Sequence, residues 1–211
     1  MNAAIQLTGL TKRFGERVAL NAISATIPTG GITGLVGPDG AGKSTLLRLL
    51  AGLLVPEAGE IRVLGLDPVR EGDALRQRLG YMPQQFGLYE DLSVQENLSL
   101  YADLRGVLEP ERTSTLARLL ALTDLARFTA RPAGKLSGGM KQKLGLACAL
   151  LGTPDVLLLD EPGVGVDPIS RRALWQMVRE LAEGGMTVLW STAYLDEAEL
   201  CDHVLLMADG E

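Results

Sequence analysis

The sequence predicts an α/β fold with a mostly parallel sheet at its core. Strand-like and helix-like segments alternate through the last quarter of the chain, between residues 156 and 206. The segment 156–159 is continuously apolar, which is typical of a parallel strand that is covered on both faces. Alternation of this kind places helices on both sides of the sheet.

The elements before residue 84 are predicted to be mainly strands. Segments 5–10, 18–27 and 32–36 contain β-branched residues and are separated by turn-forming residues. Residues 56–60 are predicted to form a turn that leads into a short strand at 61–64. Leucines at helical spacing after residue 43 predict a helix there.

The segment from about residue 92 to residue 151 is rich in Leu, Ala and Arg at helical spacing. We interpret it as a helical subdomain, residues 85–151, inserted into a single domain (1–211) whose core comprises residues 1–84 and 152–211. A helix at 170–181, a strand at 187–190, a helix at 194–200 and a strand at 204–206 complete this core. The sequence stops as the last strand enters a turn, so we expect a chain that is truncated at its C-terminal end.

Composition narrows the class of protein. The net charge is −6 and no basic stripe with interleaved aromatic residues is present, which gives little support to nucleic-acid binding. No apolar run approaches the roughly 20 residues that span a bilayer, and no secretory signal pattern begins the chain. Cys148 and Cys201 are expected to be small apolar residues in a reducing environment rather than a disulfide or a metal site.

A glycine-rich loop between a predicted strand and a predicted helix carries the strongest functional signal. Its sequence is Gly37-Pro38-Asp39-Gly40-Ala41-Gly42-Lys43-Ser44-Thr45. Glycines let successive backbone N–H groups point at an anion without Cβ clashes, and the helix start adds its positive dipole end. Lys43 can reach the β- and γ-phosphates of a nucleotide, and the Ser44 hydroxyl can ligate Mg²⁺.

Two adjacent carboxylates, Asp160 and Glu161, follow the apolar strand 156–159. They are costly at the end of a buried strand unless a cation or ligand uses them, and ligand sites of open α/β sheets lie at that edge. Asp160 can hold hydrated Mg²⁺, and Glu161 can take a proton from an attacking water or orient it. The alternative interpretation is an Asp that caps a turn.

The segment Leu136-Ser137-Gly138-Gly139-Met140-Lys141-Gln142 predicts a second anion-binding helix start. Ser137 is placed to cap a helix that begins near Gly139, and the two glycines leave backbone N–H groups uncovered. Taken alone, this is an ordinary helix start. Together with a phosphate loop and an Asp-Glu strand, the anion-binding interpretation is favoured.

Four segments follow one another along the chain: the phosphate loop, a Gln after a strand (Gly80-Tyr81-Met82-Pro83-Gln84), the Leu-Ser-Gly-Gly segment and Asp160-Glu161. In this order they resemble the ATP-binding cassette of ABC proteins. The resemblance covers essentially the whole chain. It implies a RecA-like P-loop NTPase core with a small antiparallel β subdomain and an inserted helical subdomain. It also implies Mg²⁺ and ATP as ligands, a second cassette and integral membrane permease subunits as partners, and a peripheral location on the cytoplasmic side of a bacterial inner membrane.

The resemblance assigns roles to individual residues. Residues 37–45 would bind the phosphates. Ser44, Gln84 and Asp160 would bind the metal. Glu161 would be the catalytic base, and Lys43 and Gln84 would assist catalysis. Ser137, Gly138 and Gly139 would cap the γ-phosphate of the ATP held by the partner cassette. Asp167 would communicate across the dimer, and Phe14 would stack on adenine. The alternative for Phe14 is a partly exposed residue that closes a β-turn.

Three positions depart from the family pattern. Ala193 stands where the family usually has a His that contacts the γ-phosphate, so hydrolysis is expected to be slow or unusually dependent on Glu161. Asp39 stands where Asn is common, which adds a negative charge near the phosphate loop, and we expect its side chain to point away. Gly163 replaces the usual Thr after Asp-Glu-Pro, and we expect it to make that loop freer. The only histidine of the chain, His203, is expected at the surface, where a strand starts.

Residues 86–98 resemble the surface that exporter ATPases offer to a membrane subunit. They also contain a capping-box pattern, Ser93 and Glu96, and both interpretations can hold together. With the segment 160–172 and the missing His, the sequence is similar to the first half of tandem-cassette subunits of bacterial type-2 exporters, including multidrug efflux systems.

Three classes of function therefore remain. The leading hypothesis is an ATPase cassette that powers an exporter. A regulatory cassette that holds ATP while another half hydrolyses is favoured by Ala193 and disfavoured by the intact Glu161. A soluble, non-transport ABC protein is disfavoured because no inserted coiled coil or basic arm is visible.

Overall fold

A three-stranded antiparallel sheet is formed by the first part of the chain. The computed structural model describes residues 3–85 and 87–211. Strands β1, β2 and β4 are Ala3–Phe14, Arg17–Pro28 and Ala58–Val63, in the order β2-β1-β4. This sheet is the small antiparallel unit that the resemblance implied. Because β4 already begins at Ala58, it takes up most of the predicted turn at 56–60.

The second sheet has five parallel strands in the order β5-β6-β7-β3-β8. In chain order these strands are Gly31–Val36, Leu79–Met82, Val156–Asp160, Thr187–Thr192 and His203–Leu206. Since all strands are parallel, their carboxyl ends meet at one edge. The mostly parallel α/β core predicted from the sequence is confirmed.

Within the described residues, seven α-helices accompany the sheets. From α1 to α7 they are Lys43–Leu50, Gly72–Arg78, Val94–Leu104, Glu111–Leu122, Gly138–Ala149, Pro168–Glu183 and Leu195–Ala198. The last helix is shorter than predicted, because the N–H of Leu200 bonds to the carbonyl of Glu197 in a tighter turn. Helices α3 to α5 lie within the segment interpreted as a helical subdomain, and its boundaries stay a prediction.

Two apolar clusters lie on opposite faces of the parallel sheet. In β6, Leu157 and Leu159 belong to the cluster that includes residues of α3 to α6, whereas Val156 and Leu158 belong to the cluster with α1 and the antiparallel sheet. All four side chains are fully buried. The continuously apolar strand is therefore covered on both faces, as its sequence predicts.

Several smaller expectations are also met. Both cysteines are free; Cys148 is buried and Cys201 is partly buried. Burial raises the pKa of the Cys148 thiol. Burial also raises the pKa of the Cys201 thiol, to about 11. His203 is exposed at the first position of β8. Among residues 3–85 and 87–211, none of the helices has the length and apolar character needed to cross a membrane.

The buried side chain of Asn97 fixes the loop before α3. Its Nδ2 donates to the carbonyls of Tyr89, Leu92 and Ser93 at 3.0–3.1 Å, and its Oδ1 accepts from the N–H of Tyr89 at 2.9 Å. Ser93 caps the same helix in a capping box with Glu96, as the sequence predicts. Phe86, the first residue of the predicted partner-facing segment, lies outside the described residues.

The substitution Asn97→Leu should lower the free energy of unfolding by about 2–4 kcal/mol, because buried backbone groups lose their partners. Chemical denaturation measures the change. Gln95→Leu is the matched control in the same helix, and it should change stability by no more than about 0.5 kcal/mol. Equal effects of both substitutions would contradict this account of the loop.

Candidate functional site

The glycine-rich loop runs from the end of β3 to the start of α1 and is packed closely on its neighbours. A Cβ on Gly37 would lie 2.2 Å from the carbonyl oxygen of Met207, and a Cβ on Gly42 would lie 2.6 Å from that of Ala19. Gly42 also has φ = 106°, which L side chains rarely adopt. The backbone path therefore requires glycine at both positions.

Lys43, the first residue of α1, is only 3% exposed. Its Nζ donates to the carbonyl oxygens of Gly37 and Pro38 at 2.7 and 3.0 Å, and lies 3.0 Å from Oε1 of Glu161. The two loop carbonyls use two of the three N–H donors of the ammonium. The charge of Lys43 is thus compensated in a buried ion pair with Glu161.

Asp160 and Ser44 face each other across the gap between β6 and α1. The Ser44 hydroxyl donates to Oδ1 of Asp160 at 2.8 Å, and Asp160 is only 1% exposed. The Tyr81 hydroxyl lies 3.5 Å from Oδ2 of the same carboxylate. Burial, and in second place the nearby charge of Asp160, raises the pKa of Tyr81.

Glu161 is held on both its side chain and its backbone. Its Oε2 accepts from Nε2 of Gln84 at 2.9 Å, and its N–H donates to Oγ of Ser191 at 2.9 Å. Its φ is 49°, in the left-handed region that costs a non-glycine residue about 1–2 kcal/mol. Strained backbone of this kind concentrates at functional sites.

A cavity of about 450 Å³ opens beside the loop. Half of the predicted site residues line it: Phe14, Asp39, Gly40, Gly42, Lys43, Ser44, Thr45, Gln84 and Glu161. Phe14 is half-exposed, closes the turn between β1 and β2, and has Nζ of Lys12 at 5.4 Å from its ring centroid. Both sequence interpretations of Phe14 are compatible with this position.

Sequence reasoning missed some lining residues. Arg17 and Ala19 of β2 also border the cavity, and the Arg17 guanidinium lies 3.5 Å from where a Cβ of Gly40 would be. The sequence signal that could have identified Arg17 is a positive charge three residues after Phe14. Such a cation can attract an anionic ligand.

The Ser137-Gly138-Gly139 segment starts α5, with Ser137 as the N-cap that accepts from the N–H of Met140. Gly139 is buried, and a Cβ there would lie 2.4 Å from Cβ of Ser170 at the start of α6. Among the described residues that line the 450 Å³ cavity, none belongs to this segment. The helix start is formed as predicted, but it does not join the phosphate loop within this chain.

Asp167 and Ala193 lie in the two loops that flank Glu161. Oδ1 of Asp167 accepts from the N–H groups of Ile169 and Ser170 at 3.0 Å and so caps α6. Hydrogen bonds from Ser170, from its side chain first and then from its N–H, hold the pKa of this carboxyl below the usual value. Ala193 is exposed after β7 and lines a second cavity together with Gly37 and Pro38.

The donors and acceptors present fit a magnesium nucleotide. A loop of N–H groups, the Lys43 ammonium and the start of α1 suit phosphate oxygens. The Ser44 hydroxyl and the Asp160 carboxylate are oxygen ligands of the type that Mg²⁺ prefers. Within the part of the chain that the structure describes, no cluster of three or more His, Cys, Asp or Glu side chains could hold a metal.

Comparison with known proteins decides the family. The sequence profile described as "ABC transporter" matches residues 20–164, which span the phosphate loop, the Ser-Gly-Gly segment and Asp160-Glu161. This chain belongs to the ABC transporter family. Its solved structural neighbours are ABC cassettes, so the fold is that of a P-loop NTPase.

Among relatives, the chain is 65% identical to the probable multidrug ABC transporter ATP-binding protein YbhF of Escherichia coli K12, over 100% of this chain and 37% of that protein. It is 40% identical to the daunorubicin resistance ATP-binding protein DrrA3 of Streptomyces coeruleorubidus, over 99% of this chain and 66% of that one. The chain thus spans little more than a third of the first of these relatives.

Two solved ABC cassettes match closely in shape. The ATP-binding cassette MJ0796, in a dimeric post-hydrolysis state bound to ADP and Pi, gives a TM-score of 0.86 at 29% identity, covering 98% of this chain and 95% of that one. CbiO1 from Clostridium perfringens, part of an ABC transporter complex, gives a TM-score of 0.88 at 29% identity, covering 100% of this chain and 86% of that one.

The expectation that Gly163 makes its loop freer stays a prediction. Gly163 is buried, and a Cβ there would lie 2.5 Å from Oε1 of Glu197 and 3.1 Å from Cδ of Arg171. Glu197 is 4% exposed, and its Oε2 accepts from Nε1 of Trp190 at 2.9 Å. A side chain at position 163 would therefore have to displace a buried carboxylate, whose location no local sequence pattern indicates.

Gly163→Thr should lower the free energy of unfolding by about 1–3 kcal/mol, because the added side chain must displace Glu197 or the loop. Thermal or chemical denaturation checks this. Gly72→Thr is the control, since its Cβ would approach nothing closer than 3.6 Å. If Gly163→Thr is as stable as the control, the contact with Glu197 does not constrain the loop.

Proposed function

We propose that this chain binds Mg-ATP and hydrolyses it to power export of a substrate through a separate membrane partner. The observation that carries the proposal is that Lys43, Ser44, Gln84 and Glu161 line one cavity. Lys43 and Gln84 both contact the Glu161 carboxylate, and Ser44 donates to the neighbouring Asp160. Relatives are described as multidrug and daunorubicin-resistance ATP-binding proteins, which supports export as the process.

The roles of the phosphate-loop residues follow from their chemistry. Backbone N–H groups of residues 37–45 would hold the phosphates, and Phe14 at the cavity border would contact the base. Mg²⁺ would be held by Ser44 and Asp160, with Gln84 near it, and would supply charge neutralisation between the phosphates. Glu161 would accept the proton of the attacking water or orient it.

Nucleotide binding would also release Glu161. Lys43 donates to the carbonyls of Gly37 and Pro38, and its Nζ lies 3.0 Å from Oε1 of Glu161. A phosphate that takes a donor from Lys43 would compete with this anionic carboxylate, which repels it. Glu161, still held by Gln84 and Ser191, would then be available as a base.

The Ser137-Gly138-Gly139 segment would act on the nucleotide of a second cassette. It presents a capped helix start that lies outside its own phosphate cavity. The similar cassette MJ0796 is described as dimeric. A head-to-tail pair would bring this helix start, and the adjacent Asp167 loop, to the partner's γ-phosphate. The pair would work at the cytoplasmic face of a bacterial inner membrane, where residues 87–98 would face a permease.

A regulatory cassette is the second candidate, because Ala193 offers only a methyl group beside Gly37 and Pro38. A methyl group cannot donate a hydrogen bond to developing charge on the γ-phosphate. Such a site would hold ATP between two cassettes and hydrolyse it slowly.

Glu161→Gln should give a chain that binds ATP, loses hydrolysis by at least about 100-fold and doubles its mass with Mg-ATP. Removing the carboxylate charge removes the base and also a competitor for Lys43. Mass in solution with and without Mg-ATP is the measurement. Lys43→Ala should abolish the doubling, and Lys143→Ala, a lysine of α5, is the control. A monomer that still binds ATP would contradict self-pairing and point to a different partner cassette.

Ala193→His should raise the hydrolysis rate by about 10-fold or more if a missing donor limits this site. Ala193→Leu fills the same space without a donor and should give no gain. Steady-state phosphate release distinguishes the two. An unchanged rate in Ala193→His would show that another group already meets this need.

A further inference from the structure

The register of the parallel sheet places Ser191 between the two strands that carry the site. In β7, Ser191 lies opposite Asp160 of β6 on one side and opposite Leu35 of β3 on the other. Its side chain is fully buried. A polar side chain in that position needs hydrogen-bond partners, because an unpaired buried hydroxyl is costly.

The Ser191 hydroxyl meets both halves of the Asp-Glu pair. It donates to Oδ1 of Asp160 at 3.1 Å and accepts from the N–H of Glu161 at 2.9 Å. A hydroxyl can do both at once, since it has one donor and two lone pairs. One side chain therefore links the carboxylate of Asp160 to the backbone of Glu161.

These two contacts address two different requirements. Oδ1 of Asp160 accepts from Ser44 as well as from Ser191, which fixes the rotation of the carboxylate and leaves Oδ2 as its less engaged oxygen. Glu161 has a left-handed backbone, φ = 49°, which its N–H bond to Ser191 helps to hold. That backbone conformation sets the direction in which the Glu161 side chain leaves the strand.

We propose that Ser191 is a positioning residue that orients Asp160 toward the metal and Glu161 toward the attacking water. The proposal rests on the proposed ATPase function and adds a residue outside the motifs from which that function was argued. Ser191 touches neither nucleotide nor metal in this account; it acts through the two carboxylates. Residues that orient metal ligands commonly change affinity or activity by 10–100-fold when removed.

Another hydroxyl of the same strand provides a matched control. Thr187 begins β7, is buried, and its Oγ1 accepts from the N–H of Gly30 at 2.9 Å, away from the carboxylates. Thr187→Val and Ser191→Ala each remove one buried hydroxyl that accepts from a backbone N–H, and Ser191→Ala also removes the bond donated to Asp160. Thr187→Val therefore controls for the loss of a buried hydroxyl from β7, and a difference between the two variants at the site reflects the contacts of Ser191 with Asp160 and Glu161.

The experiment compares Ser191→Ala, Ser191→Thr and Thr187→Val in the 211-residue chain. Amide hydrogen exchange by NMR should show faster exchange of the Glu161 N–H in Ser191→Ala than in the unsubstituted chain or in Thr187→Val. In Ser191→Ala, the kcat of ATP hydrolysis should fall about 10-fold or more, and the Mg²⁺ concentration needed for hydrolysis should rise. The affinity of this variant for ATP without Mg²⁺ should stay within about 2-fold of that of the unsubstituted chain. Ser191→Thr keeps the hydroxyl and should restore kcat.

An unchanged kcat in Ser191→Ala, or slow exchange of the Glu161 amide there, overturns the proposal. An equal loss of kcat in Thr187→Val also overturns it, because the effect would then be one of strand stability. If the unsubstituted chain hydrolyses no ATP, the proposed function fails separately. The Glu161 exchange rate and the Mg²⁺ dependence of nucleotide affinity then decide the role of Ser191 by themselves.

Discussion

The buried ion pair between Lys43 and Glu161 is the interaction on which the rest of the site depends. Bringing both charges out of water is costly unless each keeps a full set of hydrogen-bond partners. Lys43 obtains them from two loop carbonyls, and Glu161 from Gln84. The pair thereby ties the loop after β3, the end of β6 and the segment after β5 to one another.

The parallel sheet explains why these groups can meet at all. The phosphate loop, Asp160 and the segment with Gln84 are distant in sequence, but each follows the carboxyl end of a strand, and those ends share one edge. Strand β7 lies between β6 and β3 and carries Ser191 into the gap. Apolar clusters on both faces of the sheet hold the strands in this register.

Much of this arrangement could be predicted because it depends on local pattern and on motifs with fixed spacing. The apolar strand 156–159, the loop at residues 37–45 and the helix cap at Ser137 are all local signals. Ser191 and Gly163 gave no such signal, because their importance arises from contacts with Asp160, Glu161 and Glu197 across the fold. The space for a side chain at position 163 is limited by Glu197 of α7, which no local pattern around Gly163 indicates.

The edge strand β8 has a consequence for handling the purified chain. Among the described residues β8 pairs only with β3, and Leu206 at its end is 75% exposed. An open strand edge with apolar side chains invites pairing with another molecule. Self-association by this route would need no nucleotide. In that respect it differs from a closed pair of cassettes, which Mg-ATP would hold together.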